Sequence, residues 1–176
     1  MIFQKLFRPR ASETAGRALY AAVVEQARKP DLYARLRVPD TVEGRFEIYS
    51  LHVLLLIDRL RGEGSQATET SQALFDTYVS SLDDALREMG VGDLSVGKKM
   101  RRLGEAFYGR AKSYEAAFAA LPDPAPLTAL LARTVYDGVD APPVDDLATY
   151  VAGVRDALAG QPLEPIVAGE VRWPTT

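Results

Sequence analysis

Ser95-Val-Gly-Lys-Lys-Met-Arg-Arg-Leu-Gly-Glu-Ala-Phe-Tyr-Gly-Arg-Ala-Lys-Ser-Tyr-Glu-Ala-Ala-Phe-Ala-Ala-Leu121 is the stretch on which the fold turns. Its apolar residues Val96, Met100, Leu103, Phe107, Ala111, Tyr114, Phe118 and Leu121 recur at steps of three and four. That is the period of a helix with one buried face, and no strand produces it. Ser95 suits the N-cap and Pro122 cannot continue the chain as helix, so the pattern predicts a helix over 95–121 packed on a core.

The flanking sequence divides in the same way. Gln66 to Met89 carries Leu74, Tyr78, Leu82, Ala85 and Met89 at helical steps, with Gly90 placed to end the helix in a left-handed turn. Upstream, Asp40 and Glu43 stand at capping-box spacing before a helix that runs to about Arg61. There Phe46, Tyr49, Val53, Leu54, Leu56, Ile57 and Leu60 cover more than one face, which predicts a central, largely buried helix. A further helix is expected from about Glu13 to Lys29, capped by Ser12 and stopped by Pro30. Beyond the stiff Pro122-Asp-Pro-Ala-Pro126, two shorter helices are expected near 127–136 and 144–158, followed by an extended tail from Gln161. The expectation is an all-α, single-domain bundle of about six helices. It comprises a flexible basic and aromatic N-terminus (1–12), a helical core (13–121), and a C-terminal helical pair and tail (122–176) packed on that core.

Composition narrows the chemistry. The 176 residues are 47% hydrophobic and 26% charged, with a net charge of −3. That is ordinary for a globular chain and unfavourable for binding DNA over the whole surface. There is no Cys and a single His, His52, so disulfides, thiolate chemistry and the usual zinc or haem ligand pairs are excluded. On an apolar helix a lone His is expected to be hydrogen-bonded in or beside the core. The longest apolar run, Val53 to Ile57, falls far short of the ~20 residues a membrane span requires. With no signal-peptide core near Met1, the expected location is cytoplasmic.

Apparent motifs dissolve on inspection. Gly92 to Lys99 matches a phosphate-binding loop except at its last position, where Lys99 replaces the Ser or Thr that would hold magnesium, and it follows a helix rather than a strand. The carboxylate pairs Asp83-Asp84 and Asp145-Asp146 are adjacent in sequence, so on a helix each pair diverges by about 100°. No nucleophile-elbow pattern surrounds any serine. Neither a cofactor nor an enzymatic activity is expected.

One stretch breaks a local rule. Lys98, Lys99, Arg101 and Arg102 crowd the start of the 95–121 helix, where each cation faces the positive end of the macrodipole at a cost of about 0.3–1 kcal/mol. With Arg110 and Lys112 there are six cations against one anion between Val96 and Lys112, a local balance of +5. Such a violation points to a partner-binding face made of Lys98, Lys99, Arg101, Arg102, Arg110 and Lys112. Gly97, Gly104 and Gly109 in the same helix suggest close approach of another backbone or ring, most simply within the chain. His52, Arg45 and Tyr108 are further candidates for a partner contact or for packing. Phe3, Lys5, Phe7 and Arg8 at the N-terminus would suit weak contact with an anionic membrane.

Several strings carry a family resemblance: Leu36-Arg-Val-Pro-Asp-Thr-Val-Glu-Gly-Arg-Phe-Glu47 with Leu51-His52, Leu74-Phe-Asp76, Leu86-Arg-Glu-Met-Gly-Val-Gly-Asp-Leu-Ser-Val-Gly-Lys98, and Ala106-Phe-Tyr-Gly-Arg110 with Tyr114. In order and spacing they resemble the ubiquinol–cytochrome c chaperone family over roughly Tyr33 to Leu121. The resemblance implies a helical assembly factor for ubiquinol–cytochrome c reductase that binds newly made cytochrome b, in mitochondrial members near the ribosomal exit and with a small helical partner. It implies no catalytic residues. The chain lacks the long targeting extension of a mitochondrial member and so looks like a bacterial relative. The expected partners are a nascent, cytochrome b-like membrane protein and a ribosome or anionic membrane surface, with work done at the inner face of the membrane. The alternatives are a helical carrier or enzyme for a quinone or lipid in a pocket near His52 and Tyr108, and a helical adaptor in an unrelated process.

Overall fold

A computed structural model describes residues 10–175, apart from the side chain of Leu94; the N-terminal candidates Phe3, Lys5, Phe7 and Arg8 lie outside the described residues. Within them the fold is all helical: α1 (Ala11–Ala27), α2 (Pro30–Ala34), α3 (Val42–Leu60), α4 (Ser65–Glu88), α5 (Asp93–Ala119), α6 (Ala125–Thr134), α7 (Val144–Ala159) and α8 (Leu163–Val167). Six correspond to the six expected from periodicity. The additional two are single short helices of five residues each. Pro30 does end α1, but it also serves as the first residue of α2, where its missing N–H is no loss. The segment after Gln161 is not extended throughout, because α8 precedes an irregular stretch over residues 170–175.

Three caps differ from expectation. At α1 the cap residue is Arg10 rather than Ser12, and the Arg10 backbone N–H donates to Glu13 Oε2 at 3.3 Å. At α3 the cap is Thr41, whose Oγ1 accepts from the Gly44 N–H at 3.1 Å, while Asp40 turns outward to pair with Arg45 at 2.6 Å. At α5 the helix starts at Asp93 with Gly92 at the cap, so Ser95 lies inside the first turn, its N–H bonded to Gly92 O at 2.8 Å. Gly90 behaves as expected. With φ of +80° it closes α4 in a Schellman turn, in which the Val91 N–H bonds to Leu86 O at 3.0 Å.

α3 is the axis of the core. Ile48, Leu51, Val53, Leu54, Leu55, Leu56 and Leu60 are all buried, so every side of the helix is covered, as its all-round apolar sequence predicts. α1 presents Ala15, Leu19, Val23 and Ala27 as a stripe and packs closely along α4. The approach is possible because residue 16 is glycine: a Cβ there would sit 2.6 Å from the Ala73 carbonyl carbon and 2.7 Å from the Leu74 nitrogen. α6 and α7 pack on each other, and α7 closes one side of α3.

Loops are tied across the molecule. The Tyr136 hydroxyl donates to Leu36 O, and Arg37 Nη1 donates to Ala141 O at 3.0 Å, joining the α2–α3 connection to the α6–α7 connection. Arg37 and Ala141 both have positive φ, at 51° and 43°, a conformation that costs about 1–2 kcal/mol per residue for an L side chain. These crossing bonds help hold it. At the C-terminus Gln161 grips the tail, donating from Nε2 to Arg172 O at 2.8 Å and accepting the Arg172 N–H at 2.9 Å.

The α1–α4 contact yields a direct prediction. Gly16→Ala forces these helices apart and lowers the unfolding free energy by roughly 1–3 kcal/mol, the usual cost of overpacking a core. Urea denaturation of the two proteins measures the difference, and equal midpoints would show that the helices yield without strain.

Candidate functional site: the cationic face of α5

Among the described residues no group of three or more His, Asp or Glu side chains is placed to hold a metal ion, and no helix is long and apolar enough to cross a membrane. His52 is fully buried. Its Nδ1–H donates to Ile48 O at 2.8 Å and its Nε2 accepts the Tyr150 hydroxyl at 2.8 Å, while that hydroxyl accepts from Gln26 Nε2 at 2.8 Å. The Trp173 ring packs edge-on against the imidazole at 5.4 Å. Burial holds the ring's pKa down at about 4, so it is neutral in the folded protein. Four separate elements, α1, α3, α7 and the tail, thus converge on one imidazole.

Tyr108 lies elsewhere. It is 63% exposed on α5 and leans on Phe75 of α4 at 6.1 Å. It lines an open cleft of about 360 Å³ with Leu54, Ile57, Phe75, Phe107 and Ala111, a cleft that does not include His52. The pocket near His52 and Tyr108 expected for a quinone or lipid carrier therefore has no counterpart, because the two side chains leave α3 and α5 in different directions.

The six cations of α5 separate into two sets. Arg110 turns inward and forms a two-pronged ion pair with Glu47 of α3, at 2.8 and 2.7 Å. The Glu47 carboxylate is only 9% exposed, and its hydrogen bond raises the Arg110 pKa further. Arg110 is thus a bolt between α5 and α3 and lies off the side of the helix that carries Lys98, Arg101, Arg102 and Lys112. Lys98, Arg101, Arg102 and Lys112 are exposed and fall within about 100° of arc on one side of the helix, with Tyr108 at its edge. Lys99 is exposed about 60° beyond Arg102. Arg101 approaches Glu105 at 3.9 Å in a pair so exposed that it contributes little. Among the described residues no carboxylate lies within 4.0 Å of Lys98, Lys99, Arg102 or Lys112. Arg45 is held by Asp40 away from this face.

The first turn of α5 shows how the mismatch with the dipole is tolerated. Asp93 faces the helix N-terminus favourably, but Arg87 of α4 engages both Asp93 and Asp83, the latter at 2.6 Å. α4 brings five carboxylates and one cation to this hairpin, while α5 brings six cations and three carboxylates. Acids at the C-terminal end of α4 and bases at the N-terminal end of α5 each oppose their own dipole, and the ion pair that crosses the turn, Arg87 with Asp93, joins a base of α4 to an acid of α5. The glycines of α5 do not serve intramolecular packing, contrary to expectation: a Cβ at Gly97, Gly104 or Gly109 would meet nothing within 4 Å.

Two stability measurements separate these roles. Arg110→Ala strands the Glu47 carboxylate and lowers stability by roughly 2–3 kcal/mol, whereas Lys98→Ala leaves the unfolding midpoint where it was. For His52, the unfolded chain takes up a proton between pH 6.5 and about 4 that the folded chain refuses. Stability therefore falls as pH drops through that window, by roughly 3 kcal/mol in all. Urea titrations at pH 7 and 4.5 should show a smaller fall in His52→Gln than in the parent protein, and identical falls would mean the ring is not held neutral.

Comparison with known proteins agrees with this architecture. A family model described as ubiquinol–cytochrome C chaperone matches residues 34–173, running well past Leu121, where the strings read from the sequence stop. Ubiquinol–cytochrome c reductase complex assembly factor 1 of mouse is 27% identical over 160 residues, covering 88% of this chain and 53% of the relative. Its counterpart in Xenopus laevis is 24% identical, with 88% and 78% covered. The human protein is 26% identical, with 88% and 52% covered, so this chain spans about half the length of its mouse and human relatives. The crystal structure of the Cbp3 homolog from Brucella abortus superposes with a TM-score of 0.86 at 35% identity, over 99% of this chain and 97% of that one. With a match over most of its length and the same all-helical fold, this chain belongs to the ubiquinol–cytochrome c chaperone family.

Proposed function

We propose that this protein is an assembly factor for ubiquinol–cytochrome c reductase that holds a newly made, cytochrome b-like membrane subunit at the inner face of the membrane. Its work is binding, and no reactive centre takes part. The observation that carries this reading is the cationic strip of Lys98, Arg101, Arg102 and Lys112, exposed on a family scaffold in which the buried Glu47, Ser50 and His52 each find a partner inside the chain. Cations left without carboxylates at the unfavourable end of a helix persist against selection for stability when something outside the chain meets them. Lysines and arginines suit the acidic loops of a nascent membrane protein, anionic headgroups, or ribosomal RNA near the exit.

Among these the client is placed first, because the relatives are named for assembling the reductase. A basic face beside a membrane protein would also bring the factor close to the lipid surface, which accounts for peripheral membrane attachment without a spanning helix.

The charge-reversed variant Lys98→Glu/Arg102→Glu should keep its helical content and unfolding midpoint while losing most of its co-purification with the reductase's membrane subunit. Cells carrying it should accumulate at least severalfold less assembled reductase. Normal assembly in those cells would remove the cationic strip from the mechanism.

A further inference from the structure

The end of the α4–α5 hairpin is built unlike the rest of the bundle. Around α3 the apolar residues form one continuous core, but Leu86 and Val96, though buried, lie outside it. Met100 and Leu103 are only half-buried although they continue the stripe that Phe107 and Tyr114 bury deeper in the bundle. Where the hairpin rejoins the body, the cleft beneath Tyr108 opens between α3, α4 and α5. Its floor is aromatic, with Phe75 and Phe107 at 5.2 Å and Phe107 and Tyr78 at 5.4 Å. Tyr108 stands over it as the most exposed large apolar side chain of the described residues, at 63%.

We propose that this cleft and the adjoining strip of α5 dock an acidic amphipathic helix from a partner chain, with Tyr108 as the anchor. The inference rests on the reading of α5 as the partner-binding face and specifies what kind of segment lies there. Three observations select that occupant. An aromatic floor with a protruding Tyr receives the apolar side chains that a helix presents at i, i+3, i+4 and i+7. The bordering cations Arg101 and Lys112, continuing to Lys98, match carboxylates on the flank of such a helix. Gly97 and Gly104 lie two turns apart on the same side of α5 as Tyr108, with open space where their Cβ atoms would be, so an incoming helix can approach the backbone closely.

An anionic bilayer fits less well. A membrane surface would meet both flanks of the hairpin, and the last two turns of α4 carry Asp83, Asp84 and Glu88 against Arg87, the one cation of that helix. A single helix about 10 Å across can lie on α5 and avoid that acidic side.

The test uses the full chain and a fluorescently labelled 18-residue peptide with leucines on one face and glutamates along its flank. A scrambled peptide of the same composition, and vesicles of phosphatidylglycerol and phosphatidylcholine, serve as the other two probes. The helical peptide should bind saturably, at least tenfold more tightly than the scrambled one, and should weaken as salt is raised. Tyr108→Ala and Gly104→Leu should each weaken it at least tenfold. Because Gly104→Leu replaces a poor helix former by a good one at an open site, it should unfold no earlier than the parent protein, so lost binding cannot be blamed on lost fold.

Equal binding of the scrambled peptide, or indifference to both substitutions, would overturn the proposal. So would vesicle binding that depends on Tyr108 and Gly104 while peptide binding does not, which would assign the surface to lipid. In cells the two readings part. If Tyr108→Ala/Gly104→Leu assembles the reductase normally while Lys98→Glu/Arg102→Glu does not, the docking cleft is refuted and the cationic face stands. If peptide binding behaves as stated but neither variant affects assembly, the cleft stands and the assembly role falls.

Discussion

An apolar helix enclosed on every side poses a packing problem: nothing in a uniform hydrophobic surface says which neighbour belongs where. α3 is such a helix, and its few polar side chains supply the missing instruction. Glu47 is satisfied only by Arg110 of α5, and Ser50 bonds the Tyr78 hydroxyl of α4 at 2.7 Å. His52 requires Tyr150 of α7, which in turn requires Gln26 of α1. Near the end of the helix Asp58 pairs with Arg155 at 2.9 Å, and Arg59 donates to the last carbonyls of α7, Leu158 O at 2.9 Å among them. The polar residues of α3 are thus addressed to three neighbours: Glu47 to α5, Ser50 to α4, and His52, Asp58 and Arg59 to α7. An arrangement that slid or exchanged a neighbour would bury an unpaired group, at a cost of about 1–3 kcal/mol for a neutral one and more for a charge.

The same rule sets the limits of the scaffold. Where α3 ends, the α4–α5 hairpin has no central helix to cover, and its side chains pass from buried to half-buried within a few turns. Lys98, Lys99, Arg101, Arg102 and the unfilled positions at Gly97 and Gly104 belong to this region, and Tyr108 stands where it rejoins α3. Its local stability comes from a different source, the clamp of Arg87 on Asp83 and Asp93. Surface electrostatics of that kind are screened by salt within about 10 Å at 0.1 M. The hairpin therefore joins a rigid base to an end whose charges remain exposed.

Membership of the ubiquinol–cytochrome c chaperone family is consistent with a binding role. The family match reaches through α7 and the tail to Trp173, and this has a physical reason. Tyr150 and Trp173 complete the surroundings of His52, so the C-terminal helices share one interior with the segment that carries the recognisable strings.

Periodicity by itself determined six helices, the central position of α3, the left-handed turn at Gly90 and the burial of His52, because each follows from residues within a few positions of one another. It also exposed the clash between the α5 cations and their dipole, a purely local quantity. What it could not determine was direction around the helix relative to distant partners. Arg110 and Lys112 look alike in sequence, yet one is bolted to Glu47 across 63 positions and the other faces solvent. Gly16, unremarked in the sequence, is the site of close helix contact, while the glycines of α5 are not. His52 and Tyr108 likewise diverge only once α7 and α4 are in place. Such distinctions depend on which long-range neighbour covers each face, and that is settled by tertiary packing alone.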